Sequence, residues 1–358
     1  MSLAELRLED VRCLRSAALD LHPRLNLITG DNGLGKTSLL EAIYLLGRGR
    51  SFRTRHTEQL IRHGESKLLV FGRLVSTSAL PGAEIGHAVG LSYHRREGIE
   101  ARIDAGPITS LAQLSAVFPV QVIDPGIHRL VEEGPLHRRR WLDWAVFHVE
   151  PGFILHWQNY SRALRQRNAA LKTDADPTPW DGELVRTGEI LTASRLRLVE
   201  ALQPFWLSAL EDLDAVPASL TFFGGWSREQ TLAECLATHL AKDRERGSTT
   251  YGPHRFDAVL RLQNHSVREV VSRGQQKLLG AAMALTMSRY LAEATGDTPA
   301  LLLDDPAAEL DQLHTEHLLR AVGKLGGQLV VTALRPHDTP LGAPDRVFHV
   351  EQGGVKRL

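Results

Sequence analysis

An α/β fold is what the sequence supports, with one lobe built on a parallel sheet and a second made mainly of helices. Three observations carry this. RLNLITG (24–30) is a short apolar strand that runs into the Gly-rich GDNGLGKT (30–37) and then into the amphipathic TSLLEAIYLLG (37–47). LLLDD (301–305), near the other end, is an apolar run of the kind that fills a parallel sheet, closed by two carboxylates. From about 111 to 244 apolar residues recur at helical rather than alternating spacing.

Taken in order, residues 1–104 read as strands and turns: LAELRLEDV, AALDLHPRLNLITG, the loop and a helix stopped by Gly47, KLLVFGRLVS (67–76), a PGAEIG turn (81–86), HAVGLSYHRR (87–96) and IEARIDAG (99–106). Helices are expected at 135–149, 151–172 and 183–212, with the polar TDADPTPWDG (173–182) as a loop. A strand near FDAVLRLQ (256–263) leads into the helix GQQKLLGAAMALTMSRYLAEA (274–294), LLLDD, a helix at 311–325 and the strand 328–334. The expected division is 1–110 as the N-terminal part of the sheet lobe, 111–250 as a helical lobe and 251–358 as its C-terminal part. The excursion between the two ends, about 130 residues of irregular spacing, has no heptad repeat from which a long coiled coil could form.

The loop fits G-x-x-x-x-G-K-[ST] at Gly30, Gly35, Lys36 and Thr37. Such a loop suits a nucleoside triphosphate for geometric reasons. Backbone N–H groups of Gly30, Asp31, Asn32, Gly33, Leu34 and Gly35 can turn toward phosphates, and the helix start at Lys36, Thr37 and Ser38 adds its positive dipole end. Lys36 neutralises β/γ oxygens and the Thr37 hydroxyl is placed for Mg²⁺, so ATP and Mg²⁺ are the expected cofactors. In LLLDD, Asp304 is expected to hold the metal through water and Asp305 to orient or deprotonate the attacking water; ELD (309–311) follows in support. SRGQQ (272–276) places Ser272, Gly274 and Gln275 at the start of a second helix, another anion site. One protomer does not need two γ-phosphate cradles, so this one is expected to cap the phosphate held by a second copy. The alternative is an ordinary helix cap.

These segments, with SFRT (51–54), DPGIHRLVEEGPLHRRRWLDWAVFH (124–148) and YGPHR (251–255), stand in the order and spacing of the RecF family, which the chain resembles over nearly its whole length. The resemblance implies an ABC/SMC-type ATPase head, with a P-loop sheet lobe, a helical second lobe and no long coiled coil. It implies a weak, DNA-stimulated ATPase that forms an ATP-dependent homodimer and binds single- and double-stranded DNA at gap junctions. RecR and RecO are the implied partners, in loading RecA. Pro306 stands where a hydrophobic residue is usual and Phe256 where an acid is often found, so neither carries a role.

Lys+Arg and Asp+Glu are 42 each, so no global field draws nucleic acid in and any DNA contact must be local. Arg48, Arg50, Arg53 and Arg55 in GRGRSFRTRH (47–56) form one candidate patch; Arg138, Arg139 and Arg140, followed by Arg162, Arg165, Arg167 and Lys172, form another. The alternative is a solvated surface, with Arg138–Arg140 paired to Glu132, Glu133 or Asp143. Trp141, Trp144 and Phe147 read as core. Gln121 is a candidate metal-sensing glutamine, and Thr332 and His337 follow the final strand where a phosphate-contacting residue is expected. Two distant cysteines, Cys13 and Cys235, give neither a disulfide framework nor a zinc site. With no apolar run near ~18 residues, a soluble cytoplasmic protein without a membrane partner is expected. A transporter's ATPase subunit would want an LSGGQ-like element, and a metabolite kinase would not need SRGQQ.

Overall fold

The computed structural model describes residues 1–76, 86–308, 310–335, 341–351 and 353–358. The PGAEIG turn up to residue 85, Glu309 of ELD and His337 lie outside the described residues. Along the chain come β1 (Ser2–Val11), β2 (Leu14–Asp20), β3 (Leu25–Thr29), α1 (Lys36–Arg48), β4 (Lys67–Val75), β5 (Gly86–His94), β6 (Gly98–Ile103), β7 (Gly106–Pro107), α2 (Ala112–Val117) and β8 (Val120–Ile123). The middle holds α3 (Arg129–Glu132), α4 (Pro135–Val149), α5 (Phe153–Lys172), α6 (Asp181–Asp212), β9 (Ser219–Phe223), α7 (Leu232–Thr238), α8 (Leu240–Arg246), β10 (Asp257–Leu262), β11 (His265–Ser266), α9 (Val267–Val270) and α10 (Arg273–Thr295). The chain closes with β12 (Ala300–Leu303), α11 (Gln312–Gly323), β13 (Leu329–Ala333), β14 (Arg346–Glu351) and β15 (Gly354–Arg357).

Two compact units result: residues 1–127, 211–214 and 281–358 make one, and 128–210 with 215–280 the other. The expected divisions at 110 and 250 fall elsewhere, because β8 pairs with β12 and so belongs with the ends of the chain.

In the first unit a six-stranded sheet runs in the order β15-β14-β3-β13-β12-β8, parallel apart from the β14–β15 pair. Its central strands β12 and β13 are buried at every position, as strands covered on both faces must be. The second sheet, β2-β1-β4-β5-β6-β7, is antiparallel throughout and alternates buried with open positions along β4. α1 is buried from Ser38 to Gly47 and shares one core with residues of both sheets, including Leu6, Val70, Ile28 and Val330. A helix apolar nearly all round can exist only in such a position.

The sequence reading needs three corrections. Gly47 does not stop α1; it lies within the helix, where a Cβ would stand 2.4 Å from the Phe118 carbonyl oxygen and 2.5 Å from Val120 Cγ1. The stop is Gly49, left-handed at φ 62, whose N–H donates to the Leu45 carbonyl. The stretch 111–244 is not uniformly helical, since β8 and β9 lie in it; β9 carries the strand alternation, with Leu220 and Phe222 buried between exposed neighbours. The antiparallel pair β14–β15 extends the parallel sheet where no strand was expected.

The second unit has its own polar framework. Arg167 is fully buried and donates to Asp181, Asp243 and Thr249 at 2.7, 2.7 and 2.8 Å. Arg195 donates to Asp143 and lies 3.8 Å over the buried Phe256 ring. His254 of YGPHR has its Nδ1 2.7 Å from the Tyr160 hydroxyl on α5 and its Nε2 3.1 Å from the Thr249 carbonyl oxygen. Burial pushes the His254 imidazole down to about 4, so the ring is neutral, with Nε2–H donating and Nδ1 accepting. Trp141 and Trp144 are core residues, as expected, and Phe147 is half-buried. Among the described residues no long coiled coil occurs, α6 being the longest helix at 32 residues.

Because Gly47 is held against backbone, Gly47→Ala is expected to destabilise the protein by about 1–3 kcal/mol, read as a lower thermal midpoint. A wild-type midpoint would show that the 118–120 segment yields to the added methyl.

Candidate functional site

The Gly-rich loop is shaped by contacts that exclude side chains. Gly30, at φ 142, would place a Cβ 2.6 Å from the Val350 carbonyl oxygen; Gly35, at φ 114, would place one 2.9 Å from Cys13 Sγ and Leu14 Cδ2. Asp31, Asn32 and Gly33 are exposed and Leu34 packs partly on the core. α1 starts with no side-chain cap and no acid in its first turn. The N–H groups of its first turn, which no helix can satisfy internally, are thus left without a side-chain cap, and the positive end of the helix dipole faces the loop.

Lys36, largely buried, donates to the carbonyl oxygens of Gly30 and Asp31 at 2.6 and 3.1 Å. Next to it the Thr37 hydroxyl donates to Asp304, 2.9 and 3.0 Å from its two carboxylate oxygens. Thr332, on the neighbouring strand β13, donates to the same carboxylate at 2.9 Å, and its hydroxyl accepts the Asp305 N–H at 2.9 Å. Asp305 itself sits at φ 47, a left-handed position directly after β12. Ser38 is buried behind the loop. Lys36, Thr37, Ser38, Asp304 and Asp305 line a cavity of about 910 Å³ that also takes in Arg12, Arg53, His63 and Pro125.

Burial is the dominant influence on Asp304, and it pushes the carboxyl above the usual carboxylate range against the Thr332 and Thr37 hydrogen bonds and the Arg53 and Lys36 charges. A folded-state pKa above the unfolded one means that the charged carboxylate weakens the ligand-free fold as pH rises through it. A hydroxyl and a carboxylate at hydrogen-bond distance are a hard-oxygen pair that fits Mg²⁺, which keeps most of its other positions for water and phosphate. Among the described residues no group of three His, Cys, Asp or Glu side chains could hold a metal alone.

One buried cluster was missed in the sequence. Glu41 is fully buried on α1; Arg12 donates to both of its oxygens at 2.9 Å, Ser51 donates at 2.5 Å and Arg53 lies 3.6 Å away. It ties two segments that line the cavity to the helix that starts there. An acid inside the apolar TSLLEAIYLL was the available sign.

Other candidates are placed elsewhere. The Gln121 amide donates to Ser288 Oγ at 2.9 Å and does not line the cavity. Arg48 is tucked against Tyr44, 3.3 Å from its hydroxyl, while Arg50, Arg53 and Arg55 are exposed. Arg138 forms a two-pronged pair with Asp257 at 2.9 Å and donates to the Leu130 and Glu133 carbonyls, so it is a packing residue rather than a free surface cation. Arg139 is half-buried and donates to the Phe256 carbonyl; Arg140 is exposed. The partners expected for this run are engaged elsewhere, Glu132 with His128, Glu133 with His137 and Asp143 with Arg195. Ser272 and Gly274 are exposed at the start of α10, where the Gln275 N–H donates to Ser272 Oγ and the Ser272 N–H to Gln275 Oε1, both at 3.3 Å. That reciprocal cap is what the chain by itself shows.

The family model for the RecF/RecN/SMC N terminal domain matches residues 2–355. The chain is 37% identical over 370 residues to the DNA replication and repair protein RecF of Pseudomonas aeruginosa (strain LESB58), covering 100% of this chain and 98% of that one. It is 40% identical over 367 residues to RecF of Xanthomonas euvesicatoria pv. vesicatoria (strain 85-10), covering 98% of each. Among solved structures, the recombination mediator protein RecF-ATP in the RecFOR pathway matches with a TM-score of 0.88 at 25% identity, over 100% of this chain and 97% of that one. An Smc head bound to the C-winged helix domain of ScpA matches at 0.59 and 13% identity, covering 100% and 98%, a likeness of fold alone.

The geometry makes one sharp expectation. Asp304→Asn removes the charge but keeps the shape, so the ligand-free variant is expected to melt above wild type at neutral pH, the gap closing as pH falls toward the carboxylate range. A variant that melts below wild type at neutral pH would mean that the two threonines more than offset the burial.

Proposed function

The chain belongs to the RecF family, and on that premise we propose that it is an ATP-dependent DNA replication and repair protein of the RecFOR pathway. The observation that carries the ATPase reading is the hydroxyl–carboxylate–hydroxyl chain Thr37–Asp304–Thr332 beside Lys36. In this reading the loop from Gly30 to Gly35 cradles the triphosphate with backbone N–H groups, and Lys36 leaves the loop carbonyls for β/γ oxygens. Thr37 and Asp304 hold Mg²⁺, which supplies charge neutralisation on the phosphates. Asp305, on its left-handed turn, orients the attacking water and takes its proton.

The reading extends to a composite site. Ser272, Gly274 and Gln275 cap the γ-phosphate of a second copy, so ATP drives homodimerisation and hydrolysis is slow until both sites are closed. DNA at gap junctions, RecR and RecO are the partners, and RecA loading is the outcome. The trans arrangement is supported by the exposure of Ser272 and Gly274 at a helix start. For DNA it is the family and the exposed Arg50, Arg53 and Arg55. Among the described residues no helix is long and apolar enough to cross a membrane, and the transporter reading finds nothing to favour it.

Two measurements test this. Lys36→Met is expected to weaken ATP binding by roughly 10- to 100-fold, the worth of one charge-assisted contact; hydrolysis at the wild-type rate would end the ATPase reading. Ser272→Arg is expected to leave nucleotide binding near wild type while abolishing the ATP-dependent dimer in sedimentation. Should that variant dimerise normally with ATP, SRGQQ is a helix cap and no more.

A further inference from the structure

The twenty residues of α5, FILHWQNYSRALRQRNAALK, contain Arg162, Arg165, Arg167 and Lys172 and no acid. Their fates differ. Arg167 turns inward, its charge met by Asp181 and Asp243. Arg162, Arg165 and Lys172 are exposed and, among the described residues, form no ion pair or side-chain hydrogen bond.

Elsewhere on the same unit the exposed arginines of α6 are answered: Arg186 by Glu183 and Arg197 by Glu150, each at 2.7 Å. The open cations of α5 therefore contrast with the paired arginines of α6, in a chain with equal numbers of acids and bases. They are also aligned. Gln158, Arg165 and Lys172 recur at seven-residue spacing, and Arg162 lies on the adjoining line, so all four share one exposed face. From Leu155 to Lys172 that face runs about 25 Å. It adjoins the end of α8, where a Cβ on Gly247, the residue after that helix, would stand 3.4 Å from Lys172 Cγ; the exposed Arg244 and Arg246 lie there with the exposed acids Glu245, Asp174 and Asp176, the last of which feels the Arg244 charge.

We propose that this α5 face is a DNA phosphate-backbone contact of the protein, with Arg162, Arg165 and Lys172 as its cations. The inference rests on the DNA-binding reading above and assigns it a surface. A straight line of unpaired cations, flanked by an amide and by small or apolar residues, fits a regularly charged rod better than the irregular acids of a folded protein surface. Such contacts read no sequence; they fix register and raise affinity in a salt-dependent way.

The test uses the full-length protein and a labelled duplex oligonucleotide, with binding followed by anisotropy across salt. Arg162→Gln, Arg165→Gln and Lys172→Gln together are expected to weaken binding roughly tenfold or more at about 50 mM salt, and to make the log–log salt slope shallower by about 2 to 3. Binding of a fluorescent ATP analogue and the thermal midpoint are expected to stay at wild type, since none of the three side chains has a partner to lose. Replacing the two arginines by lysine is expected to restore most of the affinity, and Arg186→Gln with Arg197→Gln, which removes paired charges, to leave it unchanged. Wild-type affinity and slope in the triple variant overturn the assignment, as does an equal loss in the paired-arginine control. A wild-type protein that binds no duplex overturns the DNA-binding reading itself and this surface with it.

Discussion

Thr37 and Asp304 are 267 residues apart in sequence and 2.9 Å apart in space, and much of the first unit is arranged around that contact. The carboxylate is placed by β12, which is fixed by parallel pairing to β8 on one side and β13 on the other. β13 pairs in turn with β3, whose end opens the loop that leads to Thr37. A one-residue slip anywhere in this ladder would turn Thr332 or Asp304 to the other face. Removing the carboxylate from water is unfavourable, which is why its pKa rises, and the two hydroxyls only partly compensate. A buried carboxylate of this kind gains from a cation beside it, and any cation that binds the folded chain in preference to the unfolded one stabilises the fold.

The same logic applies one turn along the helix. A fully buried Glu41 would be intolerable alone, but Arg12, Arg53 and Ser51 surround it, and each lies on a segment other than α1. Breaking one arm of such a cluster typically costs about 3–5 kcal/mol because a buried charge is left uncompensated. The cluster thus holds the β1–β2 turn and the loop after α1 against the helix. It leaves both arginines at the cavity edge, where they contribute charge without being free to wander.

What was legible in the sequence was what is local. The strand–loop–helix of Leu25–Arg48, the closing carboxylates of β12 and the start of α10 each declare themselves within a dozen residues, and the structure has them at those positions. Arginines are the opposite case. Arg138 and Arg167 read as surface cations because their partners, Asp257 and Asp243, are 119 and 76 residues away. Gly47 misled for a related reason: the backbone it makes room for belongs to Phe118. Arg48 was readable in principle, since Tyr44 lies one helical turn before it. A lone amide such as Gln121 says nothing about which way its strand faces, and here its donor meets Ser288.

The Ser272–Gln275 cap looks at first like an argument against a role in a second protomer, because both groups are already engaged. The distances answer that objection. Each of the two hydrogen bonds is 3.3 Å long, and Ser272 is exposed. Neutral bonds of that kind are worth about 0.5–1.5 kcal/mol at best, and water replaces them easily at a surface. A hydrogen bond to a charged phosphate is worth about 1.5–3 kcal/mol, and the start of a 23-residue helix adds its dipole to it. In the proposed composite site, a cap that satisfies the helix in the free chain, yet is weaker than the contact it would be exchanged for, would keep α10 intact without ligand and would yield to an anion. Gly274 helps by presenting no side chain in the approach, since the nearest atom to a Cβ built there is Ser272 Oγ at 4.0 Å. The proposed composite site therefore needs no rearrangement of the helix, only the exchange of one set of weak acceptors for a stronger one.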